Sequence, residues 1–165
     1  MASDFSIRHA AHLIRRGGII AYPTDTIYGL GCNPYDADAT ERLSMIKRRS
    51  TDKPFILLAA DIKQLAPLII IDKAQERSIS QTSEPISWVI DARPHAPAWL
   101  TDRENTLTVR ISQNETVIKL CEILGHAIIS TSANPSGRVP AKNNLEIRQY
   151  FQGTIDKILA TNKKL

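Results

Sequence analysis

Apolar runs only four to six residues long alternate with segments of helical spacing from one end of this chain to the other. That alternation is the tightest constraint on what the chain can become. Runs such as Phe55-Ile56-Leu57-Leu58-Ala59-Ala60 and Leu68-Ile69-Ile70-Ile71 are far too short to cross a bilayer. Strand-like pieces interleaved with helix-like ones argue for an α/β layered domain. With 165 residues, 42% of them hydrophobic and 23% charged, the chain can bury one core and is no disordered polymer, so one domain over 1–165 is expected.

The pattern places the elements. Ser3 or Asp4 caps a first helix with Ile7, Ala11 and Ile14 inward, which Gly17-Gly18 ends. A buried strand follows at residues 19–22, stopped by Pro23, and a second helix is predicted over residues 37–49. Residues 55–60 read as a strand, 61–80 as short helices interrupted at Pro67, and 86–90 and 107–111 as further strands. Asn114 caps a helix carrying Val117, Ile118, Cys121 and Leu124, closed by Gly125. A strand at 127–129, a polar loop from 130 to 140, a helix near 144–151 and a strand near 155–159 complete the series.

Several activities are disfavoured at once. There is no Gly-x4-Gly-Lys-Ser/Thr loop, and Gly29-Leu30-Gly31 lacks the third glycine of a dinucleotide fingerprint. Neither a Gly-x-Ser-x-Gly elbow nor a His-Glu-x-x-His helix occurs. Cys32 and Cys121 have no metal-ligand spacing and are expected as reduced, buried thiols; no protein-held metal is expected. The N-terminus has no basic start followed by an apolar core, so a cytoplasmic location is expected. A net charge of +4 favours anionic partners without choosing between nucleotides and RNA.

Three segments carry chemistry. Tyr22-Pro23-Thr24-Asp25-Thr26-Ile27-Tyr28-Gly29-Leu30-Gly31 sends a strand into a turn crowded with hydroxyls, which can hold a small polar ligand while the glycines let it approach the backbone. Taken alone, a structural turn explains it as well. Lys47-Arg48-Arg49-Ser50-Thr51-Asp52-Lys53 offers cations at a helix end, either for electrostatic balance or as a phosphate clamp, since arginine presents a bidentate fork and lysine a point charge. Ser130-Thr131-Ser132-Ala133-Asn134 follows a buried strand, where open α/β sheets bind ligands, although Ser and Asn are also ordinary turn residues.

In this order and at this separation, the three segments resemble the YrdC/Sua5 family of threonylcarbamoyl-AMP synthases, with Lys47-Arg48-Arg49 as Lys-x-Arg, Ser132-Ala133-Asn134 as Ser-x-Asn and Thr108-Val109-Arg110 as the strand ending in Val-Arg. The resemblance runs from about Gly17 to Tyr150. It implies a twisted mixed sheet flanked by helices in three layers, and formation of threonylcarbamoyl-AMP and pyrophosphate from L-threonine, bicarbonate or CO2, and ATP. Mg2+ would arrive with ATP, and partner proteins would transfer the threonylcarbamoyl group to position 37 of tRNA. Carried over by position, Thr26 and Arg110 would hold threonine, and Lys47 and Arg49 would be the catalytic cations. Arg49 and Lys53 would face the nucleotide phosphates; Thr106, Ser132 and Asn134 would contact the adenylate. The sequence departs from the family at Leu58, where many members have a histidine, and at Thr82-Ser83-Glu84-Pro85, which keeps one proline of a longer run. Lys142 stands where some members have threonine, and the family's Pro-Ser-x-Ile-like segment is not matched after Phe151. The alternative from another class is a module that binds tRNA or double-stranded RNA through phosphate contacts without synthase activity.

Overall fold

Period-two alternation in the central strands explains the whole layering. In the computed structural model, which describes residues 2–25, 27–48, 55–82 and 84–160, seven strands and five α-helices are described. The strands are β1 (Ile20–Pro23), β2 (Tyr28–Gly31), β3 (Ile56–Ala59), β4 (Trp88–Asp91), β5 (Thr106–Ile111), β6 (Ile128–Ser132) and β7 (Lys157–Ile158). They form one mixed sheet in the order β4-β5-β3-β6-β2-β1-β7. The β3–β5 and β1–β7 pairs are parallel and the other four antiparallel.

Side chains at alternate positions point to opposite faces. On one face Leu57, Ala59, Leu107, Val109, Ile129 and Leu30 form a core with Ala39 and Leu43 of α2 (Ala37–Lys47), Ile79 of α3 (Lys73–Gln81), and Ile147 and Phe151 of α5 (Asn144–Phe151). On the other, Ile20, Tyr22, Leu58 and Ile128 meet Ile7 and Ile14 of α1 (Asp4–Arg15) and Val117, Leu120 and Cys121 of α4 (Glu115–Leu124). The result is the expected three-layer α/β fold. Each fully buried Leu or Ile stabilises it by roughly 1.5–3 kcal/mol.

Local chemistry sets the helix ends. Ser3, Asp36, Asp72, Asn114 and Asn143 each accept a backbone N–H in the first turn of α1 to α5, contributing about 1 kcal/mol apiece. Gly125 closes α4 in the left-handed conformation, with φ 80°.

Three expectations change. Residues 130–132, expected at the start of a polar loop, continue β6 (Ile128–Ser132), paired with β2 and β3. The helix over residues 37–49 ends at Lys47, because Arg48 turns left-handed at φ 50° and its N–H returns to Ser44 and Met45. Residues 28–31 are a strand rather than part of a turn, so β1 and β2 form a β-hairpin that closes beyond the Pro23–Tyr28 pair, with Thr24, Asp25 and Ile27 at its tip. The glycines concealed that strand from propensity, and pairing on both sides compensates for them.

Candidate functional site

The site lies on the α1/α4 face, where those two helices leave part of the sheet uncovered. A cavity of about 280 Å³ opens there, lined by Thr24, Ile27, Gly29, Ile56, Leu58, Arg110, Ser130, Thr131 and Ser132. Register explains the grouping. Arg110 pairs with Leu58, Ile56 with Ser130, and Gly29 with Ser132, so a guanidinium, two aliphatic side chains and two serines from three strands share one surface with Gly29 of a fourth.

Arg110, half-buried, donates from Nε (3.1 Å) and Nη2 (2.7 Å) to Ser87 Oγ, which fixes one edge of its guanidinium at the cavity wall. Opposite, Thr24 Oγ1 donates to Ile27 O at 2.7 Å and holds the hairpin tip in a tight turn. A cation facing hydroxyls, with Ile27, Ile56 and Leu58 as an apolar wall, suits a small molecule bearing a carboxylate, polar groups and a short aliphatic branch. Gly29 keeps the floor open: a Cβ there would lie 3.0 Å from Thr24 Cγ2 and 3.3 Å from Ser130 Oγ.

The loop after β6 is held from below. Lys47 is only 3% exposed, and its Nζ donates to Ser132 O and, at 2.7 Å, to Asn134 O. The backbone N–H of Ser136 donates to Lys47 O at 2.9 Å. A buried ammonium needs such acceptors, and the two carbonyls bind the loop to the end of α2. Asn134 Nδ2 braces the next turn, donating to Arg138 O at 2.6 Å and Pro135 O at 3.1 Å. Its Oδ1 is buried and accepts no bond among the described residues.

Of the residues singled out in the sequence, the cavity therefore brings together Arg110 and Ser132. Lys47 and Asn134 stand behind the loop rather than on the cavity wall. Thr106 is four residues from Arg110 along β5, about 13 Å away, and is not on the wall. Its Oγ1 donates to Asp102 Oδ2 at 2.7 Å, which holds the Asp102 carboxyl below the usual carboxylate range. Thr26, Arg49 and Lys53 lie outside the described residues. The chemistry-bearing segments of the sequence also held Ile27, Gly29 and Ser130, though without a site role for each, whereas Ile56 and Ser87 lay outside them. Ser130 was accessible as a site residue, being two residues before Ser132 on one strand and hence on the same face. None of the four histidines lines the cavity. Both thiols are buried and pushed up to about 12 by that burial.

Comparison with known proteins identifies the family and the fold. The Sua5/YciO/YrdC family model, described as telomere recombination, matches residues 12–165, beyond Tyr150 where the recognised motifs stop. A threonylcarbamoyl-AMP synthase of Nitrosococcus oceani is 43% identical over 94% of this chain and 85% of its own length. That of Halorhodospira halophila is 41% identical over 94% and 82%. Among solved structures, P. abyssi Sua5 complexed with L-threonine superposes with a TM-score of 0.91 at 31% identity, over 98% of this chain. The match spans 48% of that protein, so this chain corresponds to about half of it. E. coli YciO superposes at 0.81 with 26% identity, over 96% of this chain and 80% of its own. This chain belongs to the Sua5/YciO/YrdC family.

Proposed function

We propose that this chain is a threonylcarbamoyl-AMP synthase, joining L-threonine, bicarbonate or CO2, and ATP with release of pyrophosphate. The observation that carries the reading is the cavity holding Arg110 opposite the Thr24 turn and Ser130–Ser132, in a chain 43% identical to a protein of that name. Threonine's carboxylate pairs with the Arg110 fork, and its methyl rests on the Ile56 and Leu58 wall. Thr26 adds a hydroxyl to the amino acid.

The chemistry asks for little acid–base help. The threonine amine attacks CO2 to form a carbamate and loses a proton. A carbamate oxygen then attacks the α-phosphorus of ATP, and the bond to the β-phosphate oxygen breaks, releasing pyrophosphate. Charge gathers on phosphate oxygens, so fixed cations do most of the work. Arg49 and Lys53 serve the phosphates, and Ser132 contacts the adenylate. Lys47 and Asn134 act through the loop they hold, and Thr106 through the turn it forms with Asp102.

Mg2+ would arrive with ATP and would screen the charge of its phosphates beside Arg49 and Lys53. As an adenylyl transfer the reaction belongs to the nucleotidyltransferases, and the mixed anhydride formed is the donor that partner proteins pass to position 37 of tRNA. A cytoplasmic location suits those substrates; among the described residues no helix is long and apolar enough to cross a membrane.

Pyrophosphate release from ATP, measured with threonine and bicarbonate omitted in turn, tests the reading. Release that requires both is expected. No ATP binding, together with RNA binding that weakens steeply with salt, would replace it with the RNA-binding reading.

A further inference from the structure

We propose that Asp25 is a positioning residue, which locks the hairpin tip bearing Thr24 across the open face onto the segment that follows Arg110. The inference rests on the threonine-site reading above and adds the device that sets the site's width.

Strand directions make the contact informative. β2 begins beside the end of β6, with Gly29 opposite Ser132. β5 ends level with the beginning of β6, through Arg110 opposite Leu58 and Leu58 opposite Ile128. The tip thus leaves the sheet at the far end from Ile111, and three strand spacings separate β2 from β5, about 14 Å. The tip nevertheless meets the β5–α4 connection. Asp25 Oδ2 accepts from Ser112 Oγ and Asp25 Oδ1 from the Gln113 N–H, each at 3.1 Å. Asn114 Nδ2 donates to Thr24 O at 3.0 Å while its Oδ1 caps α4. The receiving end is rigid: Ser112 is 1% exposed, its N–H donates to Ala59 O at 2.9 Å, and its Oγ accepts from the Asn114 N–H at 3.2 Å.

The tip is therefore folded over the cavity and fastened two residues beyond Arg110. Thr24 and Ile27 on one side and the guanidinium on the other are parts of one frame, and Asp25 supplies two of its bonds. The carboxylate faces protein donors, so its part is to accept hydrogen bonds and set a distance. A shorter side chain frees the tip to move relative to Arg110. An amino acid spanning both sides then binds less well, whereas a nucleotide held at the Ser132 loop is unaffected.

Calorimetric titration of the full chain with L-threonine and, separately, with ATP tests this. Asp25→Ala should weaken threonine binding about tenfold or more, the size expected for losing hydrogen bonds to a charged group, with ATP affinity unchanged. Asp25→Asn should restore binding to within about threefold, because its amide still accepts from Gln113 and donates to Ser112 Oγ. Ser112→Ala removes one of the two bonds and should give an intermediate loss; it supplies the same readout if Asp25→Ala does not fold. Unchanged threonine affinity in Asp25→Ala overturns the proposal. So does an Asp25→Asn protein as weak as the alanine variant, which would mean that the charge itself acts on a ligand. If the unaltered chain binds ATP but no threonine, the threonine-site reading fails and the proposal falls with it.

Discussion

The two faces of the central sheet are built from the same strands yet share almost no chemistry. Toward α2, α3 and α5, the strands present Leu30, Leu57, Ala59, Leu107, Val109 and Ile129, all buried. Toward α1 and α4 they present Gly29, Ile56, Leu58, Arg110, Ser130 and Ser132, part of which is left open as the cavity. A one-residue step along β3, β5 or β6 moves from a sealed core to a ligand surface. Alternation thus lets short strands serve as scaffold and as site together, and the sealed face holds the open one still.

Four measurements can break or sharpen that contrast. The largest effect belongs to the sealed face: Leu57→Ala should cost about 2–5 kcal/mol of stability in urea denaturation. Threonine KM, measured on the folded fraction, should stay unchanged; a raised KM would show that the faces are not separable. Arg110→Ala should do the reverse, lowering kcat/KM for threonine about a hundredfold, roughly 2.7 kcal/mol, while the melting temperature barely moves.

The two glycines of β2 sharpen the comparison on one strand. A Cβ on Gly31 would lie 2.1 Å from Ile129 O and 2.8 Å from the buried Tyr22 hydroxyl, so Gly31→Ala should destabilise by about 2 kcal/mol or more. Gly29→Ala meets only side-chain atoms at 3.0 and 3.3 Å and projects into the cavity. It should cost about 1 kcal/mol or less and raise threonine KM instead. Equal losses of stability would break the distinction between the strand's structural and site positions.

The smallest effect compares the cores under the two faces, since Cys32 belongs to one and Cys121 to the other. Burial raises each thiol from 9.0 to about 12 in the folded chain. A raised folded value stabilises fully below pH 9, where both states keep the proton. That contribution is lost as pH rises from 9 toward 12, because the unfolded chain releases its protons first. Unfolding free energy measured between pH 8 and 11 should fall less steeply in Cys32→Ala or Cys121→Ala than in the unaltered chain, and by similar amounts in each. A difference between the two would mean that one core admits water.

Much of this was legible before any coordinates. The five α-helices and six of the seven strands follow from caps, periodicity and apolar runs, as Asn114, Gly125 and the run at 55–60 illustrate. The strand that escaped, β2, is Tyr-Gly-Leu-Gly, and its glycines suit a turn until both neighbouring strands are in place. Arg110 and Ser132, singled out through the motifs around them, both line the cavity. Lys47 was legible as a cation at a helix end; that its ammonium is buried against Ser132 O and Asn134 O was not. Nothing local to Lys47 shows which way a long, flexible side chain turns.

The sequence by itself determined the element types, the layered α/β class and the family, because caps, periods and short motifs are written within a few neighbouring residues. Only the tertiary structure decided which hydroxyls face Arg110, that Gly29 opens the cavity floor, and that Asp25 reaches Ser112 across it. Those facts depend on register and strand order between segments up to about a hundred residues apart, and no local preference specifies such pairings.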